Sequence, residues 1–325
     1  MKKRFLILIL ALFLLDAACT PIVYIRTDNQ SHQTDEFDTS LNLPFPSTGG
    51  MNKEINFQDP NFEVAVRIII DKPTGAIKQS EILEVTELYL FNMDINNLFG
   101  IEYFFALKVL DCSSNQLTTL DVSKNTALEL LYCHSNQLTK LDVSNNIALE
   151  ILYCYGNQLT KLDLSKNIAL EMLYCSFNKL TTLDVSKNSA LQSFICDYNK
   201  LTKLDVSNNS ALQSLSCGYN QLTRLDVSNN IALQSLSCGY NQLTRLDVGN
   251  NDALQSLSCG YNQLTRLDVN NNTELEWLYC AFNQLIELDV SCNYVLNYLN
   301  CTKNYFSDKS AIIGLDENRT EVVLD

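Results

Sequence analysis

Hydrophobic and polar positions recur along this chain with a period of 21 residues from Leu107 onward. The first full unit, Leu107 to Ala127, reads LKVLDCSSNQLTTLDVSKNTA, and new units open at Leu128, Leu149, Leu170, Leu191, Leu212, Leu233, Leu254, Leu275 and, truncated, Leu296. Within the unit Leu110 and Cys112 alternate with Val109, Asp111 and Ser113, a period of two that sends successive side chains to opposite faces of a strand. Leu120 and Val122 alternate likewise around Asp121, which predicts a second short extended segment on the far side of the unit. A unit this short cannot bury its apolar side alone and gains a core only by stacking on its neighbours, as in a solenoid. About ten parallel strands at ~4.8 Å make a sheet on the order of 50 Å long. The Leu, Cys, Leu, Leu, Val and Ala of each unit are the expected continuous core.

The consensus LxxLxCxxNxLTxLDVSxNxA resembles the leucine-rich repeat, with cysteine replacing one strand leucine, and is similar to the cysteine-containing repeats of bacterial internalin-J-like surface proteins. The resemblance covers the chain from about Asn52 to Asp325. It implies an α/β solenoid, mostly β: a right-handed superhelix with a parallel concave sheet, short extended convex segments and a small helical N-terminal cap. The expected organisation is a cap at 51–84, a solenoid at 85–305 of one divergent and about ten regular repeats, and a C-terminal cap at 306–325. Asp59 and Pro60 supply an N-cap and first-turn proline for a cap helix through about Ile70 that buries Phe62, Val66 and Ile69. The next segment, Asp71 to Glu81, resembles a half EF-hand-like loop, but Ile70, Lys72 and Thr74 stand at its ligand positions, so no calcium is expected there.

Ahead of the cap, Lys2, Lys3 and Arg4 precede an apolar run from Phe5 to Leu15, which reads as an export signal over 1–18 and is too short to span a bilayer. The sequence LLDAACT around Cys19 resembles a bacterial lipobox, although Asp16 stands where an apolar residue is usual. Lipidation of Cys19 is expected, with a freely secreted form as the alternative. Residues 19–50 are polar and lack periodicity, as a flexible tether would be. The protein is therefore expected in the bacterial cell envelope, held to the outer membrane or cell surface through its N-terminal lipid alone.

Composition narrows the chemistry. The chain carries 37 Asp and Glu against 23 Lys and Arg, a net charge of −14. That balance argues against nucleic acid as a partner, because neutralising phosphates needs clustered cations. Only His32 and His134 are present, and no nucleophile elbow, phosphate loop or HExxH motif occurs, so neither enzymatic activity nor a cofactor is expected. Ten of the 12 cysteines mark the period, from Cys112 to Cys301. Their expected role is core packing as small buried thiols. In-register strands hold neighbouring Cβ vectors parallel, which disfavours disulfides, and the absence of CxxC pairs disfavours zinc. Cys292 falls outside the ladder. Recurrent asparagines such as Asn115 and Asn125 are expected to satisfy backbone groups at turns. The row from Asp121 to Asp289 is expected to face outward, offset by Lys140, Lys161, Lys203, Arg224, Arg245 and Arg266, with calcium a lesser alternative.

Function must then lie in concave positions that have no packing duty. The early repeats place Tyr132, Tyr153, Tyr155 and Tyr174 there, the middle repeats place serines, and Trp277, Tyr279 and Tyr298 restore aromatic character. Beside them runs a 21-residue-spaced aromatic row that includes Tyr219, Tyr240 and Tyr261, open to two readings: an inter-repeat stack or a ligand surface. Aromatic side chains with a polar tip bury much area at little entropic cost. The expectation is a protein ligand on the concave face, as in adhesion, with a surface polysaccharide or a passive spacer role as alternatives.

Overall fold

A computed structural model describes residues 53–316 and 318–324. The export segment, Cys19 and the tether lie outside the described residues. In chain order the strands are β1 (Glu87–Tyr89), β2 (Val109–Asp111), β3 (Leu130–Tyr132), β4 (Ile151–Tyr153), β5 (Met172–Tyr174), β6 (Ser193–Ile195), β7 (Ser214–Ser216), β8 (Ser235–Ser237), β9 (Ser256–Ser258), β10 (Trp277–Tyr279), β11 (Leu288–Asp289), β12 (Tyr298–Asn300), β13 (Ile312–Ile313) and β14 (Glu321–Val323). Twelve of them form one sheet in sequence order, while β11 and β13 pair separately. Every pair is parallel, and through the array Leu110, Leu131, Leu152 and Leu173 stand in register. The fold is thus a leucine-rich-repeat solenoid dominated by β structure. It gains two strands over the ten expected: β1 comes from the divergent first repeat, and β14 from the C-terminal segment.

The period of two fixes the core. The middle residue of each regular strand is buried and the first and third are partly exposed, except that Ser193 is also buried. Cysteines 112 to 280 of the ladder are all buried free thiols, and Cys301 is buried as well. Desolvation pushes the ionisation of Cys112 through Cys280 upward, to about 12 for Cys154. The expected core needs one correction. Ala127 is only half-buried, and Asn125, fully buried at 0% exposure, takes the inner place at that corner.

Two asparagine ladders close the repeats. Asn136 Oδ1 accepts from the Leu117 amide at 2.9 Å while its Nδ2 donates to the Cys112 and Cys133 carbonyls, and the pattern recurs at each repeat. Asn125 Nδ2 donates to the Ile101 and Phe104 carbonyls, but its Oδ1 accepts no hydrogen bond, and the same holds for Asn146 through Asn293 in that row. The convex Leu-Asp-Val segments form ladder contacts only at the Asp121–Asp142 bridge and at β11–β13. Each of these segments closes in the same local turn: Asp121 Oδ1 accepts from the Ser123 amide at 2.9 Å and the Asn125 amide bonds the Val122 carbonyl.

Ahead of the sheet, helix α1 spans Pro60–Ile69, capped by Asp59 Oδ1 on the amides of Asn61 and Phe62. Phe62, Ala65 and Val66 face inward; Ile69, expected inside, is 42% exposed. Spacing explains this: Phe62, Ala65, Val66 define one i, i+3, i+4 face, and Ile69 would extend it only if the solenoid reached the last turn. In the loop after the helix, Lys72 Nζ donates to both Glu81 oxygens at 2.7 and 2.8 Å and to the Ala76 carbonyl at 2.7 Å. An ammonium thus sits among the oxygens of this EF-hand-like segment. Among the described residues no helix is long and apolar enough to cross a membrane.

Candidate functional site

The sheet sorts the expected site residues into three groups. On β3 to β5, the third strand position carries Tyr132, Tyr153 and Tyr174. Register brings their rings together: Tyr132 meets Tyr153 edge-on at 5.1 Å, and Tyr153 stacks on Tyr174 at 4.3 Å. The Tyr174 hydroxyl lies 3.2 Å from Ser193 Oγ. Burial raises the ionisation of the Tyr132 and Tyr153 phenols, so both stay neutral donors. Tyr155 stands apart from these, two positions on, and stacks on His134 at 4.2 Å. Desolvation lowers the pKa of His134, which favours its neutral ring.

At the other end, Trp277 stacks on Tyr298 at 5.3 Å and against Tyr279 at 5.9 Å. Between the two platforms, β7 to β9 present only serines. From Gln213 to Tyr219 and in the two following copies of that stretch, no residue on the strand side is charged.

The third group is the aromatic row. Phe177, Tyr198, Tyr219, Tyr240, Tyr261 and Phe282 form one continuous face-to-face column with centroid spacings of 4.0 to 4.3 Å. All six hold φ between 51° and 54°, a left-handed conformation that bulky residues avoid. Stacking offsets that strain. Because each inner ring has both faces covered, Tyr219, Tyr240 and Tyr261 offer only edges and hydroxyls to a ligand. They lie beside the strand face, at the corner that follows it.

On the convex side the hydrogen bonds from Ser228 and, after them, the charge of Arg224 hold Asp226 below the usual carboxylate range, the latter as expected of an offsetting cation. No ion pair joins Lys140, Lys161, Lys203, Arg224, Arg245 or Arg266 to the aspartate row among the described residues. Each of Asp121, Asp142 and Asp205 is instead held below the usual carboxylate range by hydrogen bonds from the serine two residues on. Shallow grooves lie along this side, such as one of about 370 Å³ lined by Arg245, Asp247, Arg266 and Asp268. No group of three His, Cys, Asp or Glu side chains that could hold a metal occurs among the described residues.

One residue escaped the sequence reading. Asp197, at the position after the strand cysteine, accepts from Ser216 Oγ and the Gly218 amide, both at 2.7 Å. Its signal was a lone acid in a column otherwise filled by Ser113, His134, Tyr155, Ser176, three glycines, Ala281 and Thr302.

No protein-family model and no curated protein sequence matches the chain. Solved structures do. The functional domain of InlJ from Listeria monocytogenes, which includes a cysteine ladder, is 40% identical with a TM-score of 0.76, over 78% of this chain and 58% of that one. The chain therefore spans less than two thirds of that relative. A leucine-rich-repeat protein of Leptospira interrogans is 25% identical over 75% of this chain and 67% of its own, with a TM-score of 0.67. The internalin InlF of Listeria monocytogenes, 24% identical over 76% of this chain and 83% of its own with a TM-score of 0.65, shares the fold. In-register strands, a buried thiol at every turn and that likeness agree on the fold: the chain is a leucine-rich-repeat solenoid built on a 21-residue cysteine-ladder unit, similar to that of InlJ.

Proposed function

We propose that the protein is a non-enzymatic, exported lipoprotein, anchored through Cys19, whose solenoid binds a protein ligand on its concave strand face. The observation that carries this reading is the pair of aromatic platforms, Tyr132–Tyr153–Tyr174 and Trp277–Tyr298, half-exposed on strands whose core residues are other side chains. Their exposed area, backed by a rigid sheet, is the kind of surface that supplies binding hot spots. A polysaccharide is the alternative ligand. A stacked sugar needs open ring faces, and self-stacking in the Tyr219–Tyr240–Tyr261 column removes most of them, which favours the protein ligand.

The test replaces Tyr153, Tyr174 and Trp277 with alanine. Thermal melting checks the fold, and crosslinking followed by affinity capture identifies the partner with the native chain. The variant is expected to keep a cooperative melt and lose the crosslinked protein. Retention of the partner, or a glycan-array hit with no protein crosslink, overturns the reading.

A further inference from the structure

The three near-identical repeats contain a donor pair whose natural occupant is visible one repeat away. Ser216 Oγ and the Gly218 amide converge on a single carboxylate oxygen, Asp197 Oδ1, supplied by the preceding repeat. Strand register then repeats the pair as Ser237 with Gly239 and as Ser258 with Gly260, because β7, β8 and β9 align residue for residue. In those copies the preceding repeat contributes Gly218 and Gly239 in place of an aspartate. The Gly239 and Gly260 amides, accordingly, donate to no group among the described residues.

The two copies differ in what surrounds them. A Cβ placed at Gly218 would lie 3.1 Å from Asp197 Oδ1, so an anion bound there would meet a carboxylate already in place. A Cβ placed at Gly239 would have backbone of the next repeat as its nearest neighbours, the Gly260 carbonyl oxygen at 3.0 Å and the Gly260 nitrogen at 3.8 Å, with no carboxylate among them. Beyond it, a Cβ at Gly260 would collide with the Tyr279 ring at 2.2 Å, so that ring closes the far side of the space above Gly239. An amide and a hydroxyl that register brings to one place suit a carboxylate, since hydrogen bonds to an ionised acceptor are about twice as strong as neutral ones. Apart from Asp197, which sits on Ser216 and Gly218, the strand side of these repeats carries no side-chain charge to repel it.

We propose that the space above Gly239, with Ser258 Oγ–H and the Gly260 N–H as donors and the Tyr279 ring as its wall, receives an Asp or Glu side chain of the protein ligand. The inference rests on the concave-face reading above and specifies its chemistry. Asp197 fixes the class: it is an aspartate, delivered from a parallel backbone, that occupies the equivalent donors in the same molecule. Burial raises the pKa of Asp197, and the hydrogen bonds from Ser216 and Gly218 act against that rise by favouring the ionised form.

The test is amide NMR on the mature protein with the N-acetylated, C-amidated peptide Gly-Gly-Asp-Gly-Gly, its Asn counterpart blocked in the same way, and oligogalacturonate as probes. The Asp peptide is expected to move the Gly260 amide downfield, and the Asn peptide to leave it in place. Gly239→Asp places the protein's own carboxylate in the site. In that variant the Gly260 amide is expected to shift toward the Gly218 position without any peptide, the Asp peptide to have no further effect, and the captured partner to bind about tenfold more weakly. A Gly260 amide indifferent to both the peptide and the substitution overturns the site, and a response to oligogalacturonate alone overturns its assignment to a protein side chain. If Gly260 is silent while the triple alanine variant still loses its partner, only the carboxylate site falls. If Gly260 responds and that variant keeps its partner, the platform reading falls instead.

Discussion

At the scale of single residues, the thiols carry the sharpest consequence of burial. A ladder thiol protonated in the folded core ionises at about pH 8.5 once the chain unfolds. The folded pKa is the higher one, raised to about 12 at Cys154, so the stabilisation is whole below pH 8.5 and is lost as pH climbs from there toward the folded value. The melting temperature is therefore expected to fall progressively above about pH 9. Cys154→Ala is expected to lower it at neutral pH and to flatten part of the alkaline slope. A Tm series from pH 7 to 10.5 on both proteins checks this; parallel slopes would contradict it. Thiol reagents should label Cys292, half-buried and outside the ladder, before any ladder cysteine of the folded chain.

At the scale of elements, the aromatic column combines strain with stacking. Tyr240 holds φ at 54° and stacks on Tyr219 and Tyr261, both at 4.0 Å. Each stack contributes about 0.5–1.5 kcal/mol beyond burial, while a left-handed residue with a Cβ costs roughly 1–2 kcal/mol. Tyr240→Ala loses the rings and keeps the strain; Tyr240→Gly loses the rings and relieves it. The glycine variant is expected to melt above the alanine variant, and the reverse order would show that the corner is not strained. This column also marks where sequence stops being informative. The 21-residue period locates every regular strand because the alternation of Leu110 with Val109 and Asp111 is set by the pleat alone. Whether rings at Tyr198 and Tyr219 stack on each other or open to a ligand depends on backbone φ at a corner, which composition does not encode. The exposed Ile69 and the exchange of Ala127 for Asn125 at the inner corner are of the same kind: spacing tells which side of an element is apolar, but how far the neighbour covers it is a property of packing. Asp197 was hidden because its partners belong to the next repeat.

At the scale of the whole molecule, one repeated unit serves two purposes with separate positions. Leucines, thiols and asparagines hold the strands in register, and the residues that alternate with them form a surface that changes from aromatic to serine-lined to aromatic along the sheet. The turns that lead into the strands carry apolar side chains as well: Ile147, Ile168 and Ile231 are 61 to 65% exposed, well beyond the half-buried Tyr153 and Trp277. Exposed area alone would direct a partner there, so the two surfaces make opposed expectations. Hydroxyl-radical footprinting of the native complex, with and without its crosslinked partner, separates them most directly: the concave-face reading predicts protection of Tyr153, Tyr174, Trp277 and Tyr298 with Ile147 and Ile168 unchanged, and protection of the isoleucines with the strand-face aromatics still oxidised would contradict it.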